Sequence, residues 1–148
     1  MPDYKYASSE AAKKYSACID YPEAAANAVK EMFSQVGPYV MDENGILKSG
    51  LLIRHLILPG EDNISNSMDV IDFIADNFEY GSVLFSLMSQ FTPMPASSSF
   101  PELRQRVSRD ANNMLIHYMK TRHLSDGYYQ DVSSATSDLI PSFDGTGL

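Results

Sequence analysis

Polar and apolar positions follow two different periods along this chain. Ala25, Ala28, Val29, Met32, Phe33 and Val36 recur at i, i+3, i+4 and i+7, the spacing of one helix face. Asp20 and Glu23 stand at capping-box spacing before that run, and Pro22 sits where an early helical residue needs no N–H. Gly37 follows the run as a C′ residue would. Upstream, Ser8 and Ser9 precede Glu10-Ala11-Ala12-Lys13-Lys14-Tyr15, which predicts a short helix with a serine cap. Pro2 to Tyr6 reads as the end of a strand. Met68, Ile71, Ile74, Ala75 and Phe78 trace a third helix face. Ala111, Met114, Leu115, Tyr118 and Met119 trace a fourth, capped by Ser108.

The strand signals are shorter. Leu51 to Leu58 is apolar on both parities except at Arg54 and His55, which predicts a strand covered on both faces and hence a parallel sheet flanked by helices. Pro59-Gly60 ends it. Ser82 to Met88 is a second buried strand. Val40-Met41 and Ile46-Leu47 flank Asp42-Glu43-Asn44-Gly45, a small hairpin or long turn in which Asn44-Gly45 supplies positive φ. Asp126-Gly127 turns the chain into Tyr128-Tyr129, a last short strand. The Pro/Ser-rich PMPASSSFP reads as a loop. The Ser/Thr/Gly-rich stretch 133–148, around Ile140-Pro141-Ser142-Phe143, reads as an extended tail laid over the body.

This order, β-α-α-hairpin-β-α-β-α-(β), is that of an α/β fold in a single domain over 1–148. Right-handed crossovers put the strands parallel with the helices on one side. Two full strands, a stub and a short third cannot close a barrel, and they leave a raw sheet edge. The pattern therefore predicts an incomplete (β/α) barrel, a half-barrel with parallel strands and outer helices, and a chain that is part of something larger.

Composition narrows the function classes. The chain has 148 residues and a formal net charge of −8, which argues against a nucleic-acid or anionic-membrane footprint. Cys18 is the one cysteine, so neither an intrachain disulfide nor a thiolate-only metal site can form, and a reducing compartment fits. MPDYKYASSE has no apolar signal region. LLIRHLIL is too short to span a bilayer and carries Arg54 and His55 at its centre. A cytoplasmic protein is the expectation.

Ligands of parallel α/β sheets collect at the C-terminal ends of the strands. Asp3-Tyr4-Lys5, the Arg54 strand and Ser89-Gln90-Phe91 qualify. A guanidinium within a buried strand needs a carboxylate or a bound anion, so Arg54 is either an internal ion pair or a ligand contact. Alternation puts His55 on the opposite face, as a core histidine with satisfied hydrogen bonds. His117 and His123 are six apart, off the i, i+4 spacing of a helical metal pair, and read as surface residues. Cys18 reads as a buried filler and the methionines at helical spacing as core. Asp3 and Lys5 share one strand face, either as an ordinary solvated strand end or as a pair addressing a polar ligand. GxSxG, GxGxxG, P-loop and HExxH motifs are absent.

Asp3-x-Lys5-Tyr6, AKKYS (Ala12 to Ser16), Asp20-Tyr21, the AVKEM stretch, GILKSGLLIRHLILPG (Gly45 to Gly60), SLMSQFTPM (Ser86 to Met94), FPEL (Phe100 to Leu103) and LIPSFDGTG (Leu139 to Gly147) follow one another along the chain. Together they resemble the C-terminal half of radical S-adenosylmethionine proteins related to the pyruvate formate-lyase activating enzyme. The resemblance covers essentially the whole chain and rests on order and spacing rather than on one motif. It implies a partial β/α barrel whose other half holds a [4Fe–4S] cluster on CxxxCxxC. Reductive cleavage of S-adenosylmethionine then yields a 5′-deoxyadenosyl radical that abstracts hydrogen, in activating enzymes from a glycine of a partner glycyl-radical enzyme. The resemblance assigns Asp3, Lys5, Arg54 and Gln90 to contacts with S-adenosylmethionine. Phe91 stands where the subfamily has Tyr and lacks its hydroxyl.

CxxxCxxC and the Gly-Gly-Glu stretch that holds the S-adenosylmethionine amino group are both missing. The expectation is thus a C-terminal fragment, inactive by itself and holding no cofactor alone, whose partner is the missing N-terminal half or a complementary chain. Two other readings stay open. One is a non-catalytic half-barrel binding module that acts through a complementary chain or as a homodimer through its open sheet edge. The other is an independent α/β enzyme using Arg54 and Asp3 on an anionic substrate.

Overall fold

The computed structural model describes residues 1–94, 99–124 and 126–134. Residues 95–98 of the Pro/Ser-rich loop, and the tail over 135–148 with its Ile140–Phe143 island, lie outside the described residues. The order of elements is α1 (Ser9–Ser16), α2 (Tyr21–Val36), β1 (Val40–Met41), β2 (Leu47–Ser49), β3 (Leu52–Leu56), α3 (Glu61–Asn77), β4 (Leu84–Met88), a 3₁₀ turn (Pro101–Arg104), α4 (Arg109–Thr121), β5 (Tyr128–Tyr129) and a second 3₁₀ turn (Val132–Ser134). No described helix is long and apolar enough to cross a membrane.

β3, β4 and β5 form a parallel three-stranded sheet in that order. Arg54 stands level with Ser86, and Ser86 with Tyr128. The N-terminal stub adds one parallel rung beside β3. Tyr4 N–H donates to Arg54 C=O at 2.8 Å, Arg54 N–H to Pro2 C=O at 2.9 Å, and Asp3 is the register partner of Arg54. β1 and β2 pair antiparallel around the Asn44-Gly45 turn. The fold is mixed α/β, and its sheet is not closed.

Helices cover one side of the sheet. Ile53, His55 and Ile57 of the β3 segment are buried with Phe85 and Leu87 of β4, under Ile71 and Ile74 of α3 and Leu115 and Met119 of α4. α2 joins the same side through Val29 and Phe33, and α1 through Tyr15, which stacks on Tyr6. Leu52, Arg54 and Leu56 alternate with the buried positions and are half-exposed. The expected strand covered on both faces is thus corrected: its apolar runs on both parities hide a strict alternation of environment, buried on the His55 parity and half-open on the Arg54 parity.

Other expectations change locally. Asp20 is the N-cap of α2, but its side chain makes no cap hydrogen bond, because its backbone is already helical with φ −87° and ψ 0°. The inward stripe of α2 is Ala25, Ala26, Val29 and Phe33, while Met32 and Val36 are exposed. Met114 is exposed on α4 although Met119 is fully buried. Cys18 is exposed, because the chain leaves α1 through Ala17 in the left-handed region and swings outward before α2.

Candidate functional site

The half-open face brings together three of the residues singled out from the sequence and extends to the fourth. Asp3 and Arg54 lie side by side on adjacent parallel strands, so both side chains leave the sheet on the same face. Arg54 Nε stands 2.7 Å from Asp3 Oδ1. Both side chains keep over a third of their surface in water, at 36% and 38%. Lys5 is exposed like Asp3, whereas Tyr4 and Tyr6 are buried on the helical side.

Gln90 continues the half-exposed parity of β4, two residues past Met88, with buried Ser89 between them. Its Oε1 accepts from Gln130 Nε2 at 3.1 Å. Gln130 is itself held by its carbonyl, which accepts from Ser89 Oγ and from Asn112 Nδ2, each at 3.1 Å. The chain after β5 therefore anchors the carboxamide of Gln90 at the C-terminal end of the sheet.

Both readings of Arg54 thereby acquire content. It has an internal carboxylate partner, but that partner engages only Nε. Neither terminal nitrogen of the guanidinium is bonded to a described residue. An arginine fork offers five donors, so the unengaged end suits a second carboxylate or another anion.

No family model, curated protein or solved structure matches this chain.

Residues fit the two groups implied by the resemblance unequally. A [4Fe–4S] cluster needs three thiolates, and Cys18 is the sole cysteine. Among the described residues, no three His, Cys, Asp or Glu side chains gather as a metal requires. This chain cannot hold the cluster. The amino-acid end of S-adenosylmethionine carries a carboxylate and an ammonium, and the free guanidinium end of Arg54, the ammonium of Lys5 and the carboxylate of Asp3 match those charges. That set fits.

The opposite side of β3 is structural. His55 is 1% exposed, with Nδ1 2.8 Å from Tyr4 C=O and Nε2 2.8 Å from Ser67 Oγ. A carbonyl has no hydrogen to give, so Nδ1 carries the proton and Nε2 accepts. The single hydroxyl hydrogen of Ser67 then goes to Nε2 rather than to Asn63 C=O, 3.0 Å away. Burial pushes the imidazole down to about pH 4, partly opposed by the bond to Tyr4 C=O. His117 and His123 are exposed, as read from their spacing.

Sequence reasoning missed the polar residues that fix the N-terminal strand. Asn66 Oδ1 accepts from Ala7 N–H at 2.9 Å and Ser8 N–H at 3.1 Å, and its Nδ2 donates to Lys5 C=O at 3.1 Å. Asn63, Asn66 and Ser67 are buried and continue the stripe of Val70, Ile71 and Ile74 toward the start of α3. That i, i+3, i+4 continuation by polar residues was the available signal. Glu102 was also missed. It accepts from Tyr15 O–H at 2.6 Å and pairs with Lys14, and these two contacts, Lys14 foremost, hold its carboxyl down to about 2. The loop carrying FPEL is thereby tied to α1. Clefts on the helical side, of about 380 Å³ between α1 and α3 and about 440 Å³ between α3 and α4, include none of Asp3, Lys5, Arg54 or Gln90.

Proposed function

We propose that this chain is one half of a partial β/α barrel in a radical S-adenosylmethionine protein of the activating-enzyme type, and that its half-open sheet face is one wall of the cofactor pocket. The observation that carries this reading is the guanidinium of Arg54 on the half-open face of a parallel sheet, engaged at Nε by Asp3 and bonded at its outer end to no described residue. Arg54 and Lys5 would take the carboxylate of S-adenosylmethionine, and Asp3 would orient Arg54 and balance the ammonium. Gln90, steadied by Gln130, would offer its amide nitrogen further along the same face.

When bound, that group supplies hydrogen-abstraction chemistry, in this family directed at a glycine of a glycyl-radical enzyme. The cluster would be held by a CxxxCxxC segment outside residues 1–148, because one thiol cannot replace three. This chain's own work is to bind, orient and exclude water at one side of the pocket.

The test is complementation. The chain is mixed anaerobically with the CxxxCxxC-bearing half of a family member, reconstituted with iron and sulfide, and assayed for 5′-deoxyadenosine. Product that depends on both parts and is lost with Arg54→Ala supports the reading. A cluster loading stoichiometrically on this chain alone, or a stable complex that makes no product, overturns it.

A further inference from the structure

The outer edge of the first strand is not open. Because Pro2 C=O and Tyr4 N–H bond to β3, the backbone groups of the odd residues point away from the sheet. There the hydroxyl of Tyr21, the first residue of α2, takes the place of a neighbouring strand. Lys5 N–H donates to Tyr21 Oη at 2.8 Å, and Tyr21 O–H donates to Asp3 C=O at 3.1 Å. One side chain thus satisfies the donor and the acceptor that a next strand would use. Its ring is fixed edge-on against Tyr4 and Tyr6, with centroids 6.5 and 5.4 Å away.

We propose that Tyr21 guards this edge, and that the occupant it excludes is the same edge of a second copy of the chain. The sequence of the edge favours that occupant. If two copies pair antiparallel about Tyr4, Asp3 of each stands opposite Lys5 of the other, on one face. Opposite charges directly across a strand pair are stabilising. In that register Lys5 N–H donates to Asp3 C=O of the second copy, so the contested groups are the two that Tyr21 holds. The returning bond, from Asp3 N–H, meets Lys5 C=O, which already accepts from Asn66 and keeps one lone pair.

The exchange decides the oligomeric state. Pairing forms at most four interstrand hydrogen bonds and breaks two Tyr21 bonds in each copy, so the wild-type chain gains no hydrogen bonds against the entropy lost on association. Removing Tyr21 leaves Lys5 N–H and Asp3 C=O to water and tips the exchange toward a weak, isologous dimer. The inference is independent of any cofactor and goes beyond the function proposed above, and a preceding barrel strand docking on this edge would have to displace the same two Tyr21 bonds.

Sedimentation of the full chain tests it. Wild type is expected to be monomeric over a concentration range in which folded Tyr21→Ala shows a reversible dimer. Tyr21→Ala/Lys5→Glu, which sets Asp3 against a carboxylate, is expected to return to monomer. A folded Tyr21→Ala that stays monomeric, or a dimer indifferent to Lys5→Glu, overturns the proposal. Should Tyr21→Ala not fold, Tyr21→Phe keeps the ring, and its Lys5 amide is expected to exchange about tenfold faster, the effect of one lost hydrogen bond. An unchanged Lys5 exchange rate overturns the guard role.

Discussion

Asp3 and Arg54 are partners twice over, as the register pair joining the N-terminal strand to β3 and as an ion pair 2.7 Å long above that rung. The backbone rung does not depend on the charges, because it is made by Pro2, Tyr4 and Arg54 main-chain atoms. With more than a third of each side chain in water, the ion pair contributes at most about 1 kcal/mol. Arg54→Met keeps the apolar stem and is expected to lower the unfolding free energy in urea by about 1 kcal/mol or less. A loss of several kcal/mol would instead identify a dry, structural pair.

The buried imidazole gives stability a direction with pH. His55 is neutral in the folded chain down to about pH 4, whereas an unfolded histidine protonates near 6.5. Between these values the unfolded chain binds more protons, so this contribution is fully present above 6.5 and is lost as pH falls toward 4. It amounts to about 3 kcal/mol across that window. Urea midpoints at pH 7 and 4.5 are expected to separate clearly in wild type. In His55→Asn they should converge, apart from what the carboxylates contribute.

Two glycines in turns are expected to respond very differently to alanine. A Cβ at Gly127 would lie 1.8 Å from Phe85 C=O, the backbone of β4, and backbone cannot swing aside. Gly127→Ala should detach β5 from β4 and cost about 3 kcal/mol. At Gly45 the added carbon meets nothing within 4 Å, and only its φ of +74° resists. Gly45→Ala should cost about 1 kcal/mol. Thermal unfolding of both variants makes the comparison.

Caps that look alike in sequence differ in the fold. Ser108 Oγ accepts from Ala111 N–H at 3.1 Å, so Ser108→Ala is expected to destabilise by about 1 kcal/mol. Asp20 makes no such bond, and Asp20→Ala should lose only a few tenths of a kcal/mol through the helix dipole. Denaturant midpoints of the two variants give the order directly.

α2, α3 and α4 were foreshadowed by their apolar period, because a helix that buries one face must repeat apolar residues at its pitch, and β3 and β4 by their apolar runs; α1 was legible from its serine cap, and β1, β2 and β5 from the Asn-Gly and Asp-Gly turns. Coverage of the sheet was not legible. Leu52, Leu56 and Leu58 have the composition of a buried strand, and composition does not say which layers exist. Asp3 and Lys5 could be placed on one face from their spacing, and Arg54 opposite to His55 from its parity. That Asp3 would be the carboxylate beside Arg54 could not be read, since the two lie 51 positions apart and meet only through strand register. Tyr21 was equally hidden, because an aromatic at the start of a helix gives no sign that its hydroxyl reaches a strand edge.

Asn66 carries a last consequence. By bonding Lys5, Ala7 and Ser8 it ties the first strand to the second turn of α3, although some sixty positions separate them. A rupture at either end of that tie exposes the other. Proteolytic nicking within the first eight residues and within the first two turns of α3 should therefore rise and fall together, as one cooperative unit of the native ensemble.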